Sequence, residues 1–142
     1  MTDATFAQET KGATNMNNAT ILLIARILLA AIFILAGLNK FGNIAGTAGY
    51  IGSVGLPMGV LLAWGTAIFE VLAGIALVIG FKTKLVSWAL AAFCVASAAI
   101  FHNNFGDQTQ FILFMKNIAM AGGFLALSVA GAGGISVDSK NA

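Results

Sequence analysis

The chain has 142 residues, 59% of them hydrophobic and 8% charged, with a formal net charge of +2 and a mean hydropathy of +0.94. That balance excludes a soluble domain and leaves an integral membrane protein of one compact unit, too short to carry a separate soluble catalytic domain. A small positive charge without a dense Lys/Arg cluster excludes nucleic acid as a partner, and a single cysteine, Cys94, excludes both an internal disulfide and a two-cysteine relay.

Residues 1–18 are rich in Thr, Ala, Asn and Gln, lack hydrophobic periodicity, and have neither the basic start nor the apolar stretch of a secretory signal. They predict a flexible cytoplasmic tail. Four apolar runs then follow, at about Ala19–Asn39, Met58–Gly80, Leu85–His102 and Phe111–Gly131, each long enough to span a bilayer. The expected fold is all-α: a polytopic four-transmembrane-helix bundle over residues 19–134, closed by a short cytoplasmic C-terminal tail at 135–142.

Between the first two spans, residues 41–58 are broken by glycines and too short to cross, yet apolar enough for the interface, which predicts a re-entrant or interfacial segment lidding the outer end. Pro57 suits the first turn of the helix that follows. The link Phe81-Lys82-Thr83-Lys84 is basic, whereas the link between the last two spans carries Asp107 and no Lys or Arg. The positive-inside rule therefore places Lys82, Lys84, Lys11, Lys140 and both termini in the cytoplasm of a cell (inner) membrane protein, with Lys40 near the outer surface.

Arg26, Glu70 and Lys116 lie within spans, where an ionised side chain costs roughly 2.5–3.5 kcal/mol at the helix centre, so they must face one another or water. Arg26, Ala30, Phe33, Gly37 and Lys40 share a stripe on the first span, and Thr66, Glu70, Ala73, Gly74 and Leu77 share one on the second. Depths counted at about 1.5 Å per residue suggest an Arg26–Glu70 pair, separate from an outer cluster of Asn39, Lys40, His102 and Lys116. That pair reads either as an ion pair fixing helix register or as a site where Glu70 exchanges a proton with, or binds the head group of, a ligand.

His102-Asn103-Asn104, Gln110 and Lys116-Asn117 supply donors and acceptors for one cavity mouth, able to orient a carbonyl or anionic ligand. One His without a second His, Cys or nearby carboxylate predicts no metal. Trp64, Trp88 and the phenylalanines read as interfacial anchors and lipid-facing bulk, Cys94 as a small apolar residue, and Gly122-Gly123 as a close helix contact within the bundle or between protomers of a homo-oligomer.

Several of these residues together resemble the DoxX family of small four-span membrane proteins: Arg26 with Gly37-Leu38-Asn39-Lys40-Phe41, Gly55-Leu56-Pro57, Glu70 with Gly74, Gly80-Phe81-Lys82-Thr83-Lys84, and Lys116-Asn117 with Gly122-Gly123. The resemblance runs from Ala19 to Gly131 in order and spacing. It implies a neighbourhood of quinone-linked or redox-protective oxidoreductase assemblies, with a quinone as the ligand and redox-enzyme subunits as partners besides the lipid bilayer. The chain shows no flavin, haem or iron–sulfur ligation pattern, so it could not carry electrons alone. The alternatives are a small-solute transport or permeation protein with Glu70 as coupling site, and a non-catalytic membrane scaffold.

Overall fold

A computed structural model describes residues 3–141; Met1, Thr2 and Ala142, the extremes of the two expected tails, lie outside the described residues. Six helices follow in order: α1 (Asp3–Gly42), α2 (Ile44–Ser53), α3 (Gly59–Ile79), α4 (Thr83–Phe101), α5 (Gln108–Ala130) and α6 (Val137–Lys140). Four of them, α1, α3, α4 and α5, are long and apolar enough to cross a membrane. The 21 residues of α3 span about 32 Å, one hydrocarbon core. Large apolar side chains such as Leu28, Leu72, Leu85 and Val129 face outward, the inverse of a soluble bundle and the surface a bilayer requires.

The bundle is built from two hairpins, α1 packed along α3 and α4 along α5. Gly37 and Gly74 set the first seam. A Cβ on Gly37 would come within 2.9 Å of the Ala67 carbonyl oxygen, and one on Gly74 within 3.3 Å of that of Ala30, so the backbones approach as closely as small residues allow. Ala30, Phe33, Ala73 and Leu77 from this hairpin meet Leu90, Cys94, Phe124 and Leu127 from the other in one apolar core. Cys94 is fully buried there.

Two segments differ from the sequence reading. Residues 3–18 continue α1 as helix; the side chains of 3–13 and 16–18 are exposed, so Ala, Gln, Glu, Met and Lys there support the helix by propensity, without the packed face that periodicity detects. The interfacial segment after α1 is a ten-residue helix, α2, capped by Asn43, whose side chain accepts from the Gly46 amide at 3.0 Å. It packs against α3 and buries Ile51. Trp64 and Trp88 stand about half-exposed near the starts of α3 and α4, at opposite ends of the bundle, as aromatic anchors do.

At the end carrying Lys82 and Lys84 the chain ties itself shut. Arg26 is completely buried; its guanidinium donates to the carbonyl oxygens of Leu77 (3.0 Å) and Val78 (3.1 Å) at the end of α3, and to that of Ile135 in the returning C-terminal segment. The positive charge thus meets the negative end of the α3 dipole and its orphan carbonyls. Lys82, in the left-handed region at φ 46°, provides no side-chain cap for α4. Asp138 supplies one from a distance, accepting from the amides of Lys82 (2.7 Å) and Thr83 (2.9 Å), while its own amide donates to Gly80 (2.9 Å). The C-terminal segment is therefore a clasp.

Burial raises the Asp138 carboxyl, but the Thr83 and Lys82 amides and the nearby Arg26 guanidinium outweigh it, leaving the group below its ordinary carboxylate value. A carboxyl lowered on folding contributes stability fully above its unfolded pKa, about 3.9, and loses it as pH falls through the folded value. Asp138→Ala should therefore cost about 1 kcal/mol at neutral pH, the size of a lost helix cap, and the thermal midpoints of variant and wild type should converge in acid. Melting curves in detergent across that pH range check this.

Candidate functional site

At the α2 end the hairpins part and enclose a cavity of about 600 Å³. Its floor is aromatic: Phe33 packs edge-on against Phe124 (centroids 5.5 Å apart) and Phe93 (6.3 Å), and Phe93 against Phe69 (5.2 Å). α2 forms the roof, with Gly46, Thr47, Tyr50 and Ile51 lining the cavity. Tyr50 stacks on Phe101 with centroids 5.4 Å apart, and its hydroxyl lies 3.4 Å from the Phe101 carbonyl.

In the wall stands an ion pair. Lys40 Nζ donates to both carboxylate oxygens of Glu70, at 2.8 and 3.0 Å. The Glu70 side chain is 5% exposed and that of Lys40 26%, so the carboxylate is enclosed while the ammonium reaches the cavity surface on its long stem. Across the cavity His102 Nδ1 lies 2.8 Å from Gln110 Oε1. With that oxygen accepting, Nδ1–H is the donor. Asn117 donates to its own helix at Leu113 (3.0 Å), and Thr66 does so at Leu62 (2.8 Å).

Of the residues expected to form the site, Asn39, Lys40, Glu70, His102 and Asn117 line this cavity. The expected Arg26–Glu70 pair does not form. Arg26 bonds the carbonyls of Leu77 and Val78, seven and eight residues beyond Glu70, about 10 Å along α3, and the guanidinium is taken up by that helix end while Lys40 reaches back to the carboxylate. Lys116 is exposed and does not line the cavity. It precedes Asn117 by one residue, a rotation of about 100°, and so leaves the inward face of α5.

The roof residues were missed, although Asn43, Thr47 and Tyr50 recur at steps of four and three, the stripe of a one-sided helix; the glycines between them mask it. Among the described residues, no three His, Cys, Asp or Glu side chains come together to hold a metal ion.

The DoxX family model matches residues 21–103, more than half of the chain. The chain belongs to the DoxX family. The matched stretch of this DoxX protein includes Lys40, Glu70 and His102. It is 37% identical over 122 residues to the inner membrane protein YqjF of Escherichia coli, covering 82% of this chain and 88% of the relative. It is 38% identical over 125 residues to the inner membrane protein YphA of the same organism (84% and 89%). A third relative, "Putative oxidoreductase CatD" of Bacillus subtilis, is 32% identical over 112 residues (74% and 82%). No solved structure matches. Family and helices together make the chain a multi-pass membrane protein in contact with lipid.

The enclosure of Glu70 yields a stability test. Lys40→Met strands the carboxylate in an apolar wall and should destabilise the protein by about 3 kcal/mol, whereas Lys40→Met combined with Glu70→Met should recover most of the loss. Thermal unfolding of the two single variants and the double variant, in one detergent, measures this directly.

Proposed function

We propose that this DoxX protein is the membrane subunit of a quinone-linked or redox-protective oxidoreductase assembly, and that its cavity receives the head group of a lipid-soluble quinone. The observation that carries the reading is the Lys40–Glu70 pair in the wall of a 600 Å³ cavity whose other surfaces are mostly apolar and aromatic. A carbonyl-bearing ring suits that combination: aromatic faces from Phe33 and Phe93, and hydrogen-bond donation from Lys40 to a ring oxygen. A relative whose name carries the word oxidoreductase supports the redox setting. When bound, a quinone would supply two-electron, two-proton redox chemistry.

The chain's own contribution is to hold the head group and manage a proton. Lys40 donates a hydrogen bond to a ring oxygen, Glu70 holds Lys40 in place, and His102, fixed by Gln110, stands ready to relay a proton to the head group. Reduction of the head group would take two electrons from a partner subunit and two protons from water. In this reading Lys82, Lys84, Lys11 and Lys140 face the cytoplasm with both termini, and the α2 roof lies on the outer side. The edge-packed Phe33, Phe93 and Phe124, with the core beneath them, favour a blind pocket over a solute pathway.

Native mass spectrometry of the protein purified in mild detergent without added quinone tests the assignment. The wild type should retain a molecule of quinone mass, and both Glu70→Gln and the Lys40→Met/Glu70→Met double variant should lose it while remaining folded. A wild type that retains no such molecule, or variants that retain it unchanged, would count against the reading.

A further inference from the structure

The cavity has floor, roof and ion-paired wall, yet one side stays open. Where α3 meets α4 it is closed by Phe69 against Phe93, and where α2 meets α4 by Tyr50 over Phe101. The α1–α5 seam behaves differently along its length. In its lower half the helices touch: Phe33 packs on Phe124, and a Cβ on Gly123 would lie 3.5 Å from Leu29.

Toward α2 the same stripes turn to the cavity. On α5 the stripe that holds Gly123 continues through Met120 to Lys116, at steps of three and four. Lys116 is exposed, and Met120 lines the cavity. On α1 the stripe that holds Leu29 continues through Ile32 and Ala36 to Asn39, all three lining the cavity. Ile32 is 50% exposed, so it belongs to the cavity and to the outer surface at once. The outer faces beside it, Leu28 and Leu35 on α1 and Met115 on α5, are exposed and apolar, the surface that lipid covers.

We infer that the splayed half of the α1–α5 seam is a lateral portal from the bilayer, through which a single-tailed amphiphile with a hydrogen-bond-accepting head group enters the cavity, Lys116 standing at its rim. The rim position accounts for an intramembrane lysine without a carboxylate partner among the described residues. A long ammonium side chain there can reach interfacial water and meet an electron-rich head group as it passes. A tail left between Ile32 and Met120 needs no room in the cavity, so the head group alone sets the fit. What passes through the portal rests on the ligand reading proposed above; the opening itself does not.

Spin-label accessibility in proteoliposomes tests the opening. Single cysteines are placed at Ala36 and Met120 in the portal, at Leu29 in the closed half, and at Leu28 on the lipid surface, with the buried Cys94 of the wild type reporting the background. Labels at 36 and 120 should collide with membrane-dissolved oxygen several-fold more than a label at 29, approaching the value at 28, and should be shielded from the water-soluble nickel chelate NiEDDA. Low collision rates with both reagents at 36 and 120 would overturn the portal, because the seam is then closed. High NiEDDA and low oxygen collision would also overturn it, because the cavity then opens to water beneath α2. Two positions guard against one variant failing to fold. An accessible portal beside a wild type that retains no ligand would reject the ligand reading and keep the opening.

Discussion

An ionised side chain inside hydrocarbon must take its polar partners with it, and the α1–α3 seam meets that demand at both ends. At one end Arg26 gives its protons to carbonyls that a helix terminus leaves unpaired; at the other Lys40 folds over Glu70. The two solutions differ in consequence. Arg26 is spent on backbone groups and, through Ile135, on holding the C-terminal segment in place, which makes it a structural fastener. Lys40 is tied to a single carboxylate at a cavity surface, so one of its protons can still be offered elsewhere.

Close packing in one place creates space in another. Gly37 and Gly74 let α1 lie against α3, and the second hairpin then meets the first through a core that ends at Phe33, Phe93 and Phe124. Beyond those rings the cavity lies between the hairpins, and α2 is laid over it. The cavity is thus a result of where the aromatic layer stops.

How much of this was legible depended on the kind of signal. Four spans could be read because hydrophobic length is a one-dimensional property, and the stripe from Arg26 to Lys40 could be read because helical periodicity is local. The partner of Glu70 could not. That choice depends on how α1 and α3 are offset along their axes, and Lys40 wins by reaching back toward a level that depth-counting assigned to Arg26. Lys116 illustrates the same limit in rotation: it and Asn117 are adjacent in sequence but only Asn117 lines the cavity. The cap supplied by Asp138, some 55 residues from the helix it serves, leaves no local pattern at all.

An ionised carboxylate, held by Lys40, forms part of the cavity wall within the membrane. Glu9 and Glu70 are the two glutamates of the chain, so carboxyl-¹³C glutamate labels Glu70 with a single companion in the exposed start of α1. Infrared difference spectroscopy of labelled wild type against Glu70→Gln, in lipid bilayers at neutral pH, isolates the buried group. The variant should lose an ionised carboxylate band; loss of a protonated carboxyl band instead would mean that Lys40 and Glu70 form no ion pair.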